Sequence, residues 1–255
     1  MISISSLIDQ LRSLGVQQGG VLLVHTSFRS LAPVEGGPQG LTAALTKTLG
    51  PGGTLVMPSW PDSSDLPFDP LVTDAAANLG IVAREFWRLP GVLRTTHVQA
   101  FAARGPHAEG ILADPLPLPP HIPASPVGRV HDLDGQVLLL GVNHDANTTI
   151  HLAELIAGVP YGLRKTCTAV INNRHEQVHY LENDHCCDRF KLVDDWLNEA
   201  GAQTEGPVGN ALARLTQSRS VVSTVVPRLK SDPLHFLHRP ADRCPDCDQA
   251  RASVS

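Results

Sequence analysis

The chain has 255 residues, of which 42% are hydrophobic and 18% charged, with a formal net charge of −5. That is enough apolar material to bury a core, which excludes a disordered chain. The acidic balance and the lack of any Lys/Arg block exclude a nucleic-acid or anionic-membrane partner, and no stretch reaches the roughly 18 apolar residues of a membrane span.

Residues 1–14 read as an amphipathic helix, not a signal peptide. Ser5 or Ser6 can cap it, Leu7, Ile8, Leu11 and Leu14 share a face, and Gly15 stops it. Val21 to Val24 is a short apolar run ending at His25-Thr26-Ser27, the pattern of a buried strand that opens into a polar loop. A helix over 38–49, a Gly-Pro-Gly-Gly turn and a strand over 54–58 follow, so the first sixty residues alternate helix and strand. Residues 58–79 carry no periodicity and read as a long irregular loop. A helix is expected over 80–89, and the proline-rich stretch 113–126 reads as extended and stiff.

Val137 to Gly141 is the most apolar strand, and Asn147 or Thr148 can cap a helix running to Ala157. Val170 to Leu181 reads as a hairpin turning at Asn172-Asn173-Arg174. The remainder reads as helix, with one strand near 221–226 and a cysteine-containing tail. These elements predict one compact α/β domain over 1–255, a central mixed sheet flanked by helices. The five cysteines, an odd number without a secretory signal, point to a cytoplasmic protein with reduced thiols or metal ligands. Nothing in the sequence sets an oligomeric state.

Three stretches carry chemistry. In Leu138 to Glu154 a buried strand ends, a polar loop follows, and a helix begins with Thr148, Thr149 and His151. Open α/β sheets place their sites at such strand ends, where helix N–H groups can meet an oxyanion. His151 can take a proton near neutral pH, Thr149 can donate to an oxyanion, and Glu154, three residues on, can orient the imidazole. In Tyr180 to Phe190, Glu182, Asp184, His185, Cys186, Cys187 and Asp188 crowd together, and the tail adds Cys244-Pro-Asp-Cys247. Cys187, Cys244, Cys247 and His185 can supply a tetrahedral structural zinc site. In His25 to Gly37, the groups after a strand can hold phosphates or a pantetheine amide, with Arg29 able to meet a phosphate. There is no Walker A sequence, no dinucleotide-binding glycine pattern and no Gcn5-type acetyl-CoA loop.

The segments VLLVHTSFRSL, GGTLVMPSW and LLLGVNHDANTTIHLAE, in that order, resemble the aminoglycoside 3-N-acetyltransferase family. The likeness continues through DPLPLPPH, VPYGLRKTCT, YLENDHCCDRF, EGPVGNA and DPLHFLH to CPDC, and is strongest to the type IV members, which accept apramycin, gentamicin and tobramycin. The resemblance implies acetyl-CoA as donor and the 3-amine of 2-deoxystreptamine as acceptor, on a fold unlike the Gcn5 type. It implies His151 as catalytic base, with Asp184, or alternatively Glu182, as its acid partner. It implies Thr148 and Thr149 at the oxyanion, and His25, Thr26, Ser27, Phe28 and Arg29, with Thr148, along the coenzyme. A polycationic acceptor needs carboxylates, for which Asp62, Asp65, Asp69, Asp145 and Glu154 are the candidates. Three other readings compete: an N-acyltransferase for a different amine, a zinc hydrolase built on the His/Cys/Asp cluster, and a non-enzymatic binding module, which leaves Asn147 to Glu154 unexplained. The hydrolase would need an open metal position, which a cysteine-rich site would close.

Overall fold

Seven strands form one mixed sheet in a computed structural model that describes residues 1–113 and 116–254. The chain enters through α1 (Ile4–Leu14), β1 (Val21–Thr26), the short α2 (Phe28–Leu31), α3 (Gly37–Leu49) and β2 (Thr54–Pro58). After the irregular loop come α4 (Gly80–Phe86), β3 (Leu93–Arg94), β4 (Phe101–Arg104), α5 (Ala108–Leu112), α6 (Pro126–Asp132), β5 (Gln136–Leu140) and α7 (Thr149–Ala157). The last third adds β6 (Leu163–Ile171), β7 (Arg174–Glu182), α8 (Leu192–Glu199), β8 (Gln203–Val208), β9 (Ala211–Gln217), α9 (Ser218–Ser231) and α10 (Pro245–Ala252).

The strand order is β3-β4-β2-β1-β5-β9-β8. Its centre, β2-β1-β5, is parallel, and both flanks are antiparallel. Helices cover both faces, which explains why β1 and β5 are apolar without alternation. In β1, Leu22 and Val24 pack with α1 and α3 on one side, while Val21 and Leu23 pack with the layer of α6, α7, α8 and α9 on the other. Each such side chain contributes roughly 1.5–3 kcal/mol by burial. No helix among the described residues is long and apolar enough to cross a membrane.

Several expected elements stand, with shifted edges. Ser3 caps α1, accepting from the Ser6 amide at 3.1 Å, in place of Ser5 or Ser6. The hairpin begins earlier, at Leu163, and turns at Asn172 and Asn173, both with positive φ, as a two-residue hairpin turn requires. It forms a sheet of its own, apart from the main one.

The strand expected near 221–226 is instead part of α9. Val221, Val222, Val225 and Leu229 repeat at helical spacing and bury one face against α7, so tertiary packing overrides the β preference of valine. The antiparallel pair β8–β9 carries the strands that the reading of 200–220 as helix missed. Its Gly209 has a φ of 61°, a turn signal that was there to be read. In the proline-rich stretch, Leu116 to Ser125 folds through turns, with a cis Leu118–Pro119 bond, and is not extended. Residues 114 and 115 of that stretch lie outside the described residues.

Candidate active site

The parallel strands β1, β2 and β5 end on one side of the sheet, and a cavity of about 540 Å³ opens there. This is where open α/β sheets place their ligands. His25 and Thr26 reach it from the end of β1, and Met57 and Pro58 from the end of β2. The β5–α7 connection supplies Val142, Asp145, Ala146, Asn147 and Thr148, and α7 supplies His151. Gly141 lets β5 turn into this connection: its φ is 70°, and a Cβ there would sit 2.8 Å from that of Ser30.

The local sequence fixes how α7 begins and ends. The Asn147 side chain accepts from the Thr149 amide at 3.0 Å, filling one of the free donors of the first turn. Gly158, with φ 72°, closes the helix by donating to the Glu154 and Leu155 carbonyls. Between them, residues 151 and 154 share a face. His151 Nδ1 lies 2.8 Å from Glu154 Oε2. The other carboxylate oxygen, Oε1, accepts from the Tyr161 hydroxyl and lies 2.9 Å from His185 Nε2. Glu154 is fully buried, with hydrogen-bond partners on both of its oxygens.

This carboxylate sets the tautomer of its neighbour. With Nδ1–H held by Glu154, the free ring nitrogen of His151 is Nε2, which lies 3.6 Å from Cys187 Sγ. Burial opposes the imidazolium, but hydrogen bonds with Cys187 and Glu154 outweigh it and hold the His151 pKa well above the ordinary imidazole value. Burial alone would raise the Glu154 carboxyl, yet its bonds to His151 and His185 hold it at about 2. Two further imidazoles line the cavity and are driven the other way. His121 stacks on His151 with ring centroids 5.3 Å apart, and burial, then the charges of His151 and His25, push its pKa well down. His25 is lowered to about 4 by burial and by His144, and its Nε2 meets the Thr148 hydroxyl at 3.2 Å. Of these three imidazoles, His151 is therefore the one with the greatest affinity for a proton.

The expected partner of His151 is corrected. Asp184 lines the cavity but pairs with Lys165, and Glu182 is held by burial and by Asp184 at a raised pKa. The helical i, i+3 spacing brings Glu154 to the imidazole, so Glu154 is not available as a substrate-binding carboxylate. Thr149 is also corrected: it is fully buried and not part of the cavity wall, whereas Thr148 is.

Of the proposed coenzyme segment, His25, Thr26 and Thr148 line the cavity, while Ser27, Phe28 and Arg29 do not. Phe28 packs against the core and Arg29 is exposed. Of the five carboxylates expected to bind the acceptor, only Asp145 lines the cavity, and Lys191 Nζ lies 3.3 Å from it. Asp62, Asp65 and Asp69 sit in the irregular loop away from the wall. Asp62 accepts from the Ala77 amide across the loop, and Asp69 accepts from that of Leu71, as a local turn-former does.

The metal assignment changes as well. His185 turns to Glu154 and Cys187 to His151, so neither joins the tail cysteines. The thiols of Cys186, Cys244 and Cys247 instead gather with His238. Among the described residues this is the one such group, and it does not surround His151, which removes the basis for a zinc hydrolase. His121, Tyr161 and His238 were missed as site residues. His121 follows a proline run, Tyr161 shows no charge pattern, and His238 stands six residues before Cys244, a spacing that a search for metal ligands could have found.

The chain is similar to known proteins over most of its length. The family model for aminoglycoside 3-N-acetyltransferase matches residues 23–230. The chain is 61% identical over 236 residues to aminoglycoside N(3)-acetyltransferase IV from Salmonella sp, covering 92% of this chain and 90% of that one. It is similar to the structure of a histidine-to-alanine mutant of aminoglycoside acetyltransferase AAC(3)-IVa in complex with a gentamicin, with a TM-score of 0.97 and 59% identity over 99% of this chain and 98% of that one. The same mutant enzyme in complex with apramycin aligns with a TM-score of 0.91 and 57% identity over 96% of this chain and 98% of that one. A more distant relative, AAC-IIIb in binary complex with CoASH, aligns with a TM-score of 0.82 and 25% identity over 90% of this chain and 96% of that one.

Proposed function

The chain belongs to the aminoglycoside 3-N-acetyltransferase family, and on that premise we propose how its own residues carry the reaction. It transfers an acetyl group from acetyl-CoA to the 3-amine of the 2-deoxystreptamine ring of apramycin- and gentamicin-type antibiotics, and so confers resistance. The observation that carries the mechanism is the His151–Glu154 pair at the wall of the cavity.

The unprotonated amine attacks the thioester carbonyl carbon. As the C–N bond forms, His151 Nε2 accepts the amine proton, and Glu154 stabilises the imidazolium through Nδ1–H. The carbonyl oxygen gains charge, and the Thr148 hydroxyl at the cavity wall is the donor placed to meet it. The tetrahedral intermediate collapses, the C–S bond breaks, and the coenzyme thiolate leaves with the proton returned by His151. Zinc, expected from the cysteine segments, belongs to this reading only as a structural ion, since a base and an oxyanion donor suffice for thioester-to-amine transfer.

Incubation of the protein with acetyl-CoA and apramycin or gentamicin is expected to add the mass of one acetyl group to the antibiotic. No mass change, or addition to a different class of amine alone, would reject the reading.

Recognition of the acceptor rests on Asp145 and Asp184, the carboxylates of the cavity wall. Both are partly exposed, with side-chain exposures of 37% and 40%, so salt screens them over about 8–10 Å. Raising ionic strength from about 0.05 to 0.3 M is expected to raise the KM for the aminoglycoside several-fold while that for acetyl-CoA changes less. Equal insensitivity of both constants would count against carboxylate recognition.

A further inference from the structure

We propose that Cys186, His238, Cys244 and Cys247 form a closed structural zinc site that fastens the C-terminal tail to the segment presenting Cys187 to His151. The ligand atoms lie within 4.8 Å of one another. Cys186 Sγ is 3.6 Å from Cys247 Sγ and 3.4 Å from His238 Nδ1, and Cys247 Sγ is 3.6 Å from the same nitrogen. A tetrahedral zinc with Zn–S of about 2.3 Å and Zn–N of about 2.0–2.1 Å has S···S edges of about 3.8 Å and S···N edges of about 3.5–3.6 Å. The three spacings among Cys186, Cys247 and His238 are those edges to within a few tenths of an ångström, and Cys244 lies within 4.8 Å of each of them. A sulfur separation of 3.6 Å is far beyond a covalent S–S bond of about 2.05 Å, and all four cysteines of the two segments are free.

The surroundings fit a metal-bound imidazole. His238 turns Nδ1 to the thiols, and its Nε2 lies 3.5 Å from Asp188 Oδ2. A ligating histidine commonly gives its other nitrogen to a carboxylate, which fixes the ring and its tautomer. Arg251 donates to the His238 carbonyl and so ties α10 to the fourth ligand. Cys244 stands just before α10 and Cys247 in its first turn, with Cys247 fully buried. Three soft thiolates and one imidazole select zinc over magnesium or calcium and leave no open coordination position, so the ion has no catalytic part. His238, Cys244 and Cys247 lie beyond residue 230, where the match to the family model ends.

The site also accounts for the neighbouring backbone. Cys186 faces the tail while Cys187, with a φ of 58°, faces His151. A cysteine in the left-handed region is costly and persists when its surroundings hold it there. A metal bond to Cys186 on one side and the packing of Tyr161 with the tail on the other would supply that hold.

Elemental analysis of protein purified without a histidine tag is expected to give one zinc per chain. Cys186→Ser and Cys244→Ser are expected to lose the zinc and to lower Tm by roughly 5–10 °C. Cys187→Ser and His185→Gln are expected to keep it, since neither side chain faces the group. Should the ligand variants fail to accumulate as folded protein, titration of the unaltered enzyme with a mercurial, read by a metallochromic dye, is expected to release one zinc per chain. Metal-free protein of full Tm, zinc retained in Cys244→Ser, or zinc lost from Cys187→Ser would each overturn the site. None of these measurements depends on the identity of the acetyl acceptor.

Discussion

His151→Ala is expected to lower kcat by about 10²–10⁴-fold while leaving the aminoglycoside KM within a few-fold. The reason lies in the timing of the proton. An aminoglycoside amine attacks only in its free form, and its pKa falls as the C–N bond forms, so a base in place at that moment lowers the barrier. His151 has no rival as that base. His25 and His121 line the same cavity, but burial lowers the pKa of both, where that of His151 is raised. The variant should fold, because Glu154 keeps Tyr161 and His185 as donors. Added imidazole is expected to restore part of the rate. Near-normal turnover of His151→Ala would sink the assignment.

Glu154→Gln is expected to cost nearly as much in rate and, unlike the first variant, to move the pH profile. Three donors converge on this carboxylate: His151, Tyr161 and His185. A carboxamide offers one oxygen and an NH2 group, so at least one donor would face another donor. The ring of His151 would then lose both its fixed tautomer and its counter-charge. A loss of about 10²–10⁴-fold in kcat is expected, with a stability cost of about 1–3 kcal/mol for the unmet donor. The sign of the pH effect follows from the direction of the shift. With Glu154 present, the His151 pKa is raised, so the neutral base accumulates only at higher pH and the rate climbs through that pKa. Without the carboxylate, the pKa falls and the rise in kcat/KM moves to lower pH, although its ceiling drops. Asp184→Asn should leave this inflection in place, because Asp184 pairs with Lys165 at the cavity mouth. An unshifted profile in Glu154→Gln beside a shifted one in Asp184→Asn would return the acid role to Asp184.

The division between what could be read from the sequence and what could not is physical. The parallel centre of the sheet was legible because strands buried on both faces must be apolar throughout, as in Val21 to Val24 and Val137 to Leu140. The opening of α7 was legible because an Asn cap and the strand-loop-helix order are local signals. The α9 helix was misread because valines favour strands until packing decides otherwise. At the site, His151 could be named, and its i, i+3 neighbour Glu154 was recognised as able to orient it. The family resemblance drew the acid role to Asp184, a residue that also lines the cavity but is turned to a lysine. The sequence reading favoured Cys187 as a metal ligand where Cys186 faces the tail thiols, because the left-handed φ at Cys187 that separates the two directions leaves no mark in the sequence.

Each carboxylate on the cavity wall already has a tenant: Lys191 at Asp145 and Lys165 at Asp184. On the proposed reading, an incoming ammonium trades places with a lysine and does not fill an empty berth. Part of each new ion pair is then offset by the lysine pair it replaces, and the net gain on association is smaller than the ligand's charge alone would give. That suits a catalyst whose product is still a polycation after losing one charge: the displaced lysines stand ready to reclaim their partners, and the exchange that moderates capture also speeds departure.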